Sequence, residues 1–211
     1  MNTLIAVPSM DMVPAVFCQS LAMLQKEGNC AIAFQVGSLV YDSRNALGKK
    51  ALEMGADFVF WLDSDMVFEP SVLRDMMATM EEKDLDILTG IYYRRREPYT
   101  PTIFKQADIK DGTCIVQNFL EIPNEIFEIA ACGFGCILMK GQVLFDVMAK
   151  YGDMFSPIGR VGEDISFLWR ARECGYKVFA DPSIKLGHFS QQIVTRQFFE
   201  AYKEAKDGTS R

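Results

Sequence analysis

In the N-terminal part of the chain, short apolar segments alternate with segments whose apolar residues recur at helical spacing. The apolar segments predict strands at residues 3–7, 30–36, 58–62 and 86–93, and the periodic segments predict helices at residues 13–26, 43–54 and 70–82. Repeated strand-helix-strand units favour a parallel sheet with helices on both faces. Ligands of such sheets bind beyond the carboxyl ends of the strands, so the residues that follow each strand are the first candidates for chemistry.

The pattern changes after Tyr93, where three arginines, Arg94 to Arg96, lead into a loop that carries proline and threonine. Beyond it we expect strands near residues 113–120 and 127–139, helices at 142–150 and 164–173, a strand at 177–180 and a closing helix at 192–206. This half has an α+β pattern, with antiparallel pairing expected at the sheet edge. The sequence therefore predicts a single α/β domain with a mostly parallel central sheet, flanking helices and a small antiparallel part.

Composition and charge narrow the classes of partner. Of 211 residues, 49% are hydrophobic and 24% are charged, and the formal net charge is −6. The chain lacks the basic surface that binds nucleic acid, so no nucleic-acid partner is expected, and an anionic ligand would need a metal ion beside it. The longest apolar stretch, residues 129–139, is shorter than the ~18 residues that span a bilayer, and residues 1–12 lack the basic start of a signal peptide. We expect a soluble cytoplasmic protein without a membrane span, located in the host cytoplasm if the chain is viral.

Six cysteines are scattered through the chain without a Cys-x-x-Cys pair. This spacing favours free thiols in a reducing compartment over a disulfide framework. Cys132 and Cys136 could contribute to a zinc site, but no second pair accompanies them.

Two carboxylates follow the apolar strand predicted at residues 58–62. Asp63 and Asp65, separated by Ser64, stand at its carboxyl end, where oxygen ligands could bind a divalent metal, Mg²⁺ or Mn²⁺, or a ribose hydroxyl. Two aspartates after a strand can equally form a turn or a helix N-cap. The Asp-x-Asp pattern therefore needs support from elsewhere in the chain.

A second group of polar residues lies near the C-terminal end. Gly162-Glu163-Asp164 opens a predicted helix, and the only histidine of the chain, His188, follows further on. Carboxylates at a helix N-terminus are favoured by the helix dipole, so capping alone accounts for Glu163 and Asp164. A single histidine is likewise most often structural, so each feature by itself remains ambiguous.

Taken together and in this order, these residues resemble the glycosyltransferase A-type (GT-A) fold, and in particular its large inverting family 2. The resemblance consists of Ser43-Arg44-Asn45, the helix and glycine before the Asp-x-Asp strand, the Glu-Asp helix start and the downstream histidine. The turn Gly90-Ile-Tyr-Tyr-Arg94 is similar to that of short enzymes from phages, large DNA viruses and bacteria. The likeness extends over about residues 3–188.

The resemblance implies a single GT-A catalytic domain at residues 1–190. Its nucleotide-binding half would span about residues 1–93 and its acceptor-binding half about residues 94–190. Residues 191–211 would form a C-terminal helix and the start of a linker, so the chain could be fused to further domains. The implied activity is metal-dependent transfer of a hexose from a nucleoside-diphosphate sugar, a UDP-sugar above all, to a hydroxyl acceptor such as a glycan.

The resemblance also assigns roles to particular residues. Asp65 and His188 would bind Mn²⁺ or Mg²⁺, and Asp63 would lie beside them on the metal or the ribose. Asp164 would be the general base that deprotonates the acceptor hydroxyl, and Glu163 would bind or orient the acceptor. The remaining donor-binding residues would be Pro8, Ser9, Asp42, Arg44 and Ser64, with Arg44 on the diphosphate and Asp42 the acidic residue nearest to a base-reading position.

Other functions remain open at this point. Asp63-Ser-Asp65-Met-Val67 also fits a haloacid-dehalogenase-type phosphatase with Asp63 as the nucleophile, although that family places its aspartates on the first strand of its core. A retaining GT-A transferase, a nucleotidyltransferase and a non-catalytic sugar-binding or metal-binding module are further alternatives. The nucleotidyltransferase lacks support from a glycine-rich phosphate loop.

Overall fold

The computed structural model describes residues 1–37, 39–190 and 193–208 and has the predicted alternation of strands and helices. The strands are β1 (Asn2–Ser9), β2 (Asn29–Val36), β3 (Phe58–Leu62), β4 (Met66–Phe68), β5 (Ile87–Ile91), β6 (Ile103–Lys110), β7 (Thr113–Asn118), β8 (Phe127–Ile129), β9 (Ala131–Cys132), β10 (Cys136–Lys140), β11 (Val178–Phe189) and β12 (Ile193–Val194). The helices are α1 (Ala15–Met23), α2 (Val40–Glu53), α3 (Val72–Glu82), α4 (Gly141–Tyr151), α5 (Glu163–Glu173) and α6 (Arg196–Gly208). Every element predicted for the N-terminal part is present, with its ends shifted by at most three residues.

The central sheet has the strand order β12-β11-β5-β10-β3-β1-β2, and β4 and β8 also pair with β11. β1 is parallel to β2 and β3, and β5 is parallel to β11. Antiparallel pairing occurs at the edge, between β12 and β11, but also in the middle, where β10 runs antiparallel between β3 and β5. The sequence did not indicate this position, because a fully apolar run is typical of any strand that is covered on both faces.

Side chains alternate between two hydrophobic cores, one on each face of the sheet. In β1, Leu4 and Ala6 point into the core formed with α2, α4 and α5, whereas Ile5 and Val7 point into the core formed with α1 and α3. Helices on both faces hold the sheet rigid, so the residues at the strand ends are fixed in position.

A separate three-stranded antiparallel sheet has the order β7-β6-β9. β6 was not predicted, because polar residues interrupt its apolar pattern and it follows the proline-bearing loop. The single strand predicted at residues 127–139 is instead three strands, β8, β9 and β10. Between β9 and β10, a Cβ atom on Gly135 would lie 2.6 Å from Cζ of Tyr92, so glycine is needed where the backbone passes this ring.

β11 extends far beyond the strand predicted at residues 177–180. Its pairing with β5 shifts register between Asp181 and Lys185, and the chain continues in extended form to Phe189. Beyond the shift, β11 pairs with β4, a three-residue strand that was also not predicted. This second pairing places the end of β11 next to the residues that follow β3.

The C-terminal helix α6 packs against the body of the domain. Phe199 is buried, and its ring stacks on Tyr93 with 5.5 Å between ring centroids. The closing helix predicted at residues 192–206 corresponds to α6, which begins at Arg196 and ends at Gly208. Gln192, the predicted start of this helix, and residues 209–211 of the expected linker lie outside the described residues.

Two further expectations from the sequence concern membrane spans and the cysteines. No helix in the described ranges is long and apolar enough to cross a bilayer. All six cysteines are free thiols, and Cys132 and Cys136 are the buried ones. Burial raises the pKa of Cys132 to about 12, so this thiol stays protonated.

Candidate active site

A cleft of about 240 Å³ opens at the carboxyl ends of β1 and β3, beside the first turns of α2 and α5. It is lined by Pro8, Ser9, Met10, Gly37, Val40, Ser43, Arg44, Asp63, Ser64, Asp65 and Glu163. Seven of these residues are candidates from the sequence, and they come from four separate segments of the chain. The parallel strands bring them together, because neighbouring parallel strands end at the same edge of the sheet.

Arg44 is the buried cation of this cleft, with 2% of its surface exposed. Its Nη2 donates a 2.7 Å hydrogen bond to Oδ1 of Asp63, and its Nε donates a 3.3 Å hydrogen bond to Oε1 of Glu163. Burial alone would lower the pKa of Arg44, but the charges of Asp63 and Glu163 outweigh it and raise the pKa. The guanidinium therefore remains charged and joins the end of β3 to the start of α5.

One nitrogen of this guanidinium is unsatisfied. Among the described residues, Nη1 of Arg44 is buried without a hydrogen-bond partner. The guanidinium carbon lies 5.0 Å from the ring centroid of Phe134, and this cation–π contact compensates only in part. A buried, unpaired N–H group costs about 1–3 kcal/mol.

Asp65 and His188 meet on the other side of Asp63. The Nε2 atom of His188 lies 3.3 Å from Oδ2 of Asp65. The pairing of β4 with β11 produces this contact, since Met66 lies opposite His188 and the backbone N–H of Phe189 donates to the carbonyl of Asp65 at 2.7 Å. Burial alone would raise the pKa of Asp65, but the interactions with His188 and Arg95 together outweigh it, so the pKa is lowered.

The hydrogen bonds of His188 determine which of its nitrogens carries a proton. Nδ1 lies 2.8 Å from the carbonyl oxygen of Tyr93, and a carbonyl only accepts, so Nδ1 must donate. In the neutral ring, Nε2 then presents its lone pair to the carboxylate of Asp65. The lone pair of Nε2 and the negative charge on Oδ2 of Asp65 are therefore placed so that both can bind one cation, such as a metal ion.

Arg95 supplies a positive charge at the same carboxylate. Its Nη1 lies 2.9 Å from Oδ2 of Asp65, the oxygen that also faces His188. The side chain of Arg95 is 50% exposed, so this contact lies at the surface of the site. From the sequence, a solvated face was favoured for Arg94 to Arg96 over contact with phosphate or an acidic acceptor. The signal that could have found Arg95 is its place directly after the Gly90-to-Arg94 turn.

Glu163 and Asp164 form the first turn of α5, which begins after the N-cap residue Gly162. Oδ1 of Asp164 accepts a 2.7 Å hydrogen bond from the backbone N–H of Ile165, a group that has no partner within the helix. Burial, followed by the negative charge of Glu163, raises the pKa of Asp164 to about 6. Asp164 can therefore exchange a proton near neutral pH, as a general base must.

The structure brings some of the predicted residues together in two groups. Asp63 is bonded to Arg44 and Glu163 lies beside it, whereas Asp65 and His188 form a separate contact. In the parts of the chain that the structure describes, no three His, Cys, Asp or Glu side chains are arranged to hold a metal ion. Asp42 is exposed in the first turn of α2 and does not line the cleft, whereas Gly37 and Ser43 line it without having been predicted.

Comparison with known proteins identifies the fold. No protein-family model matches the chain, and no curated protein matches it in sequence. A197 from STIV superposes with a TM-score of 0.66 at 22% identity, covering 92% of this chain and 94% of A197. GalNAc-T7, crystallised with UDP, GalNAc and Mn²⁺, superposes with a TM-score of 0.61 at 10% identity, covering 90% of this chain and 43% of its own. The predicted GT-A fold is confirmed, with its mostly parallel central sheet and small antiparallel part.

Proposed function

We propose that this protein is a metal-dependent glycosyltransferase that transfers a hexose from a UDP-sugar to a hydroxyl acceptor, in the first instance a glycan. The observation that carries the proposal is the contact between Asp65 and His188 beside the polar cleft where β1 and β3 end. GalNAc-T7, which shares the fold at low identity, was crystallised with UDP, GalNAc and Mn²⁺, and this supports the choice of donor class and metal.

The chemistry of Asp65 and His188 suits a divalent cation such as Mn²⁺ or Mg²⁺. Two atoms that bind one ion at right angles, each at about 2.1 Å, lie about 3.0 Å apart, and the 3.3 Å between Oδ2 and Nε2 is close to this spacing. The backbone carbonyl that fixes Nδ1–H leaves Nε2 free to coordinate, as is usual for histidine ligands. When bound, the metal would stabilise the negative charge that develops on the departing nucleoside diphosphate.

Arg44 would bind the nucleotide of the donor and would also hold Glu163, the residue proposed to orient the acceptor. The positive charge of Arg44 would attract the diphosphate of the bound nucleotide, while its Nη2 and Nε hold Asp63 and Glu163 in place. Pro8 and Ser9, at the end of β1, would form the wall for the base, and Ser64 lies between the two aspartates. These roles make the cleft the donor site.

Asp164 is the proposed general base, with Glu163 orienting the acceptor. The raised pKa of Asp164 supports this role, because a base is most effective when its pKa is near the working pH. Direct attack of the activated hydroxyl on the anomeric carbon would invert its configuration. A retaining route, in which the departing phosphate accepts the proton, is the alternative that leaves Asp164 without this task.

The phosphatase alternative has less support. That family uses an aspartate after the first strand of its core, whereas Asp63 follows β3. A nucleophilic carboxylate must also be free to attack phosphorus, and Oδ1 of Asp63 accepts a 2.7 Å hydrogen bond from a buried guanidinium. Release of phosphate from an aryl phosphate in the presence of Mg²⁺ would nevertheless favour this alternative over the transferase.

A thermal-shift screen of nucleotide sugars, each with and without Mn²⁺, tests the proposed donor and metal together. Ligand binding raises the free energy of unfolding by RT ln(1 + [L]/Kd), about 2.7 kcal/mol at 100 times Kd. We expect UDP-sugars to stabilise the protein only when Mn²⁺ is present. Stabilisation by no nucleotide sugar, or equal stabilisation with a chelator, would count against the proposal.

A further inference from the structure

A single carboxylate oxygen of the candidate metal site is already engaged by a cation of the protein itself. Oδ2 of Asp65 accepts a 2.9 Å contact from Nη1 of Arg95 and lies 3.3 Å from Nε2 of His188. The atom that must bind the metal in the proposed function is therefore the atom that Arg95 holds. Two cations beside one oxygen repel each other, so the guanidinium of Arg95 opposes the binding of a metal ion there.

The side chain of Arg95 is held less firmly at its carboxylate than the side chain of Arg44 is. Half of its side chain is exposed, and among the described residues Asp65 is its only ion-pair partner. Arg44 is buried and bonded to two carboxylates at once. Moving Arg95 costs one half-exposed ion pair, which is typically worth less than about 1 kcal/mol.

The loop that carries Arg95 has its own internal hydrogen bonds. The N–H of Arg94 donates to the carbonyl of Thr100 at 3.0 Å, and the N–H of Tyr99 donates to the carbonyl of Arg96 at 2.9 Å. The base of the loop is held by a backbone bridge between Tyr93 and Pro101. Because these bonds do not involve the Arg95 side chain, the guanidinium can change position while the loop remains folded.

We propose that Arg95 neutralises Asp65 until a divalent metal replaces it, and that the released guanidinium then binds the diphosphate of the donor. This inference rests on the proposed function, because it assumes a metal and a nucleoside diphosphate at the cleft. The same arginine thereby weakens binding of the metal alone and strengthens binding of the metal together with the nucleotide. Metal and donor binding become coupled through one side chain.

The test measures these two effects separately in Arg95→Gln, with Arg94→Gln as the matched control. Both arginines are exposed and neighbouring, and both substitutions remove one charge, but only Arg95 contacts Asp65. Mn²⁺ binding without nucleotide is followed from the electron paramagnetic resonance signal of the free ion. UDP binding at saturating Mn²⁺ is followed by calorimetry.

We expect Arg95→Gln to bind Mn²⁺ alone about 5-fold more tightly than the parent, because the ion pair that the metal displaces is worth up to about 1 kcal/mol. The variant should bind UDP about 10-fold more weakly, since it loses one charge beside the diphosphate. Arg94→Gln should change both affinities less than about 3-fold, because its charge is screened by solvent. Equal Mn²⁺ affinities in the two variants, or unchanged UDP affinity in Arg95→Gln, would overturn the inference while leaving the proposed function intact. A parent protein that binds no Mn²⁺ would overturn both.

Discussion

Arg44 and Asp63 are joined by a 2.7 Å hydrogen bond between Nη2 and Oδ1, although one lies within α2 and the other directly follows β3. The same guanidinium reaches Glu163 at the start of α5. Three elements that are distant in the sequence are thus tied together by one buried cation. Its positive charge also offsets the repulsion between the nearby carboxylates of Asp63 and Glu163.

Replacement of Arg44 by methionine should therefore be strongly destabilising. The substitution keeps much of the apolar volume but leaves Asp63 and Glu163 without their buried partner, a change that typically costs about 3–5 kcal/mol. The free energy of unfolding from urea titrations measures this cost. Arg74→Met is the control, because Arg74 forms an exposed ion pair with Asp75 and should contribute less than about 1 kcal/mol. Equal effects of the two substitutions would show that Arg44 does not organise the site.

Gly135→Ala should also destabilise the fold. A Cβ atom would lie 2.6 Å from Cζ of Tyr92 and 2.9 Å from Sδ of Met66, and both neighbours are buried. Overpacking of this kind costs about 1–3 kcal/mol. The displaced Tyr92 would also lose the 3.2 Å hydrogen bond that its hydroxyl accepts from Gly135. Thermal unfolding of the variant measures the loss, and an unchanged melting temperature would mean that the contact is easily relaxed.

Asp164→Asn should stabilise the metal-free protein at neutral pH. The pKa of Asp164 is raised from 3.8 to about 6 in the fold, so its protonated form is favoured there, and the stability this contributes below pH 3.8 is lost as pH rises to about 6. The penalty at pH 7 is roughly 2–3 kcal/mol, at 1.36 kcal/mol for each pKa unit.

Asparagine carries no such charge and keeps an oxygen that can accept from Ile165. The advantage of the variant in urea titrations should therefore grow between pH 4 and pH 7. A difference between the two proteins that stays constant over this range would mean that Asp164 is not perturbed by its surroundings.

The same substitution should slow transfer without weakening donor binding. Loss of a general base typically lowers the rate by about 10²- to 10⁴-fold, while UDP and metal affinities should stay near those of the parent. Rates of UDP release with an acceptor measure the first effect and calorimetry measures the second. If transfer continues at the parent rate, the retaining alternative gains support, and the anomeric configuration of the product by NMR distinguishes the two routes.

Much of the fold could be predicted because the N-terminal part has a clear alternation of apolar strands and amphipathic helices. Asp63 and Asp65 were placed correctly at a strand end, since residues 58–62 form β3 with no shift in its bounds. Pro8, Ser9 and Arg44 line the same cleft for a related reason, because they belong to elements whose ends meet at one edge of a parallel sheet.

The hydrophobic pattern did not predict the contacts of His188 and Arg95, although the family resemblance assigned Asp65 and His188 to the same metal ion. His188 reaches Asp65 because β11 continues past a register shift and pairs with β4, and neither feature leaves a regular hydrophobic pattern. Arg95 lies in an exposed loop, and charged residues are common there, so its presence did not indicate a role in the site. Arg44 was assigned to the diphosphate or the nucleotide, and its contacts with Asp63 and Glu163 were not predicted, because a sequence does not reveal which carboxylates will share a buried cation.

The most direct test of the account is calorimetric titration of UDP into the protein with saturating Mn²⁺ and, separately, with EDTA. Asp65→Asn serves as the second protein, since it removes the charge of one proposed ligand while preserving its size. We expect binding in the parent with Mn²⁺, at least about 10-fold weaker binding with EDTA, and little response of Asp65→Asn to the metal, because a metal-bridged diphosphate loses its main electrostatic partner. Equal UDP affinity of the parent with Mn²⁺ and with EDTA would contradict a metal-dependent UDP-sugar transferase.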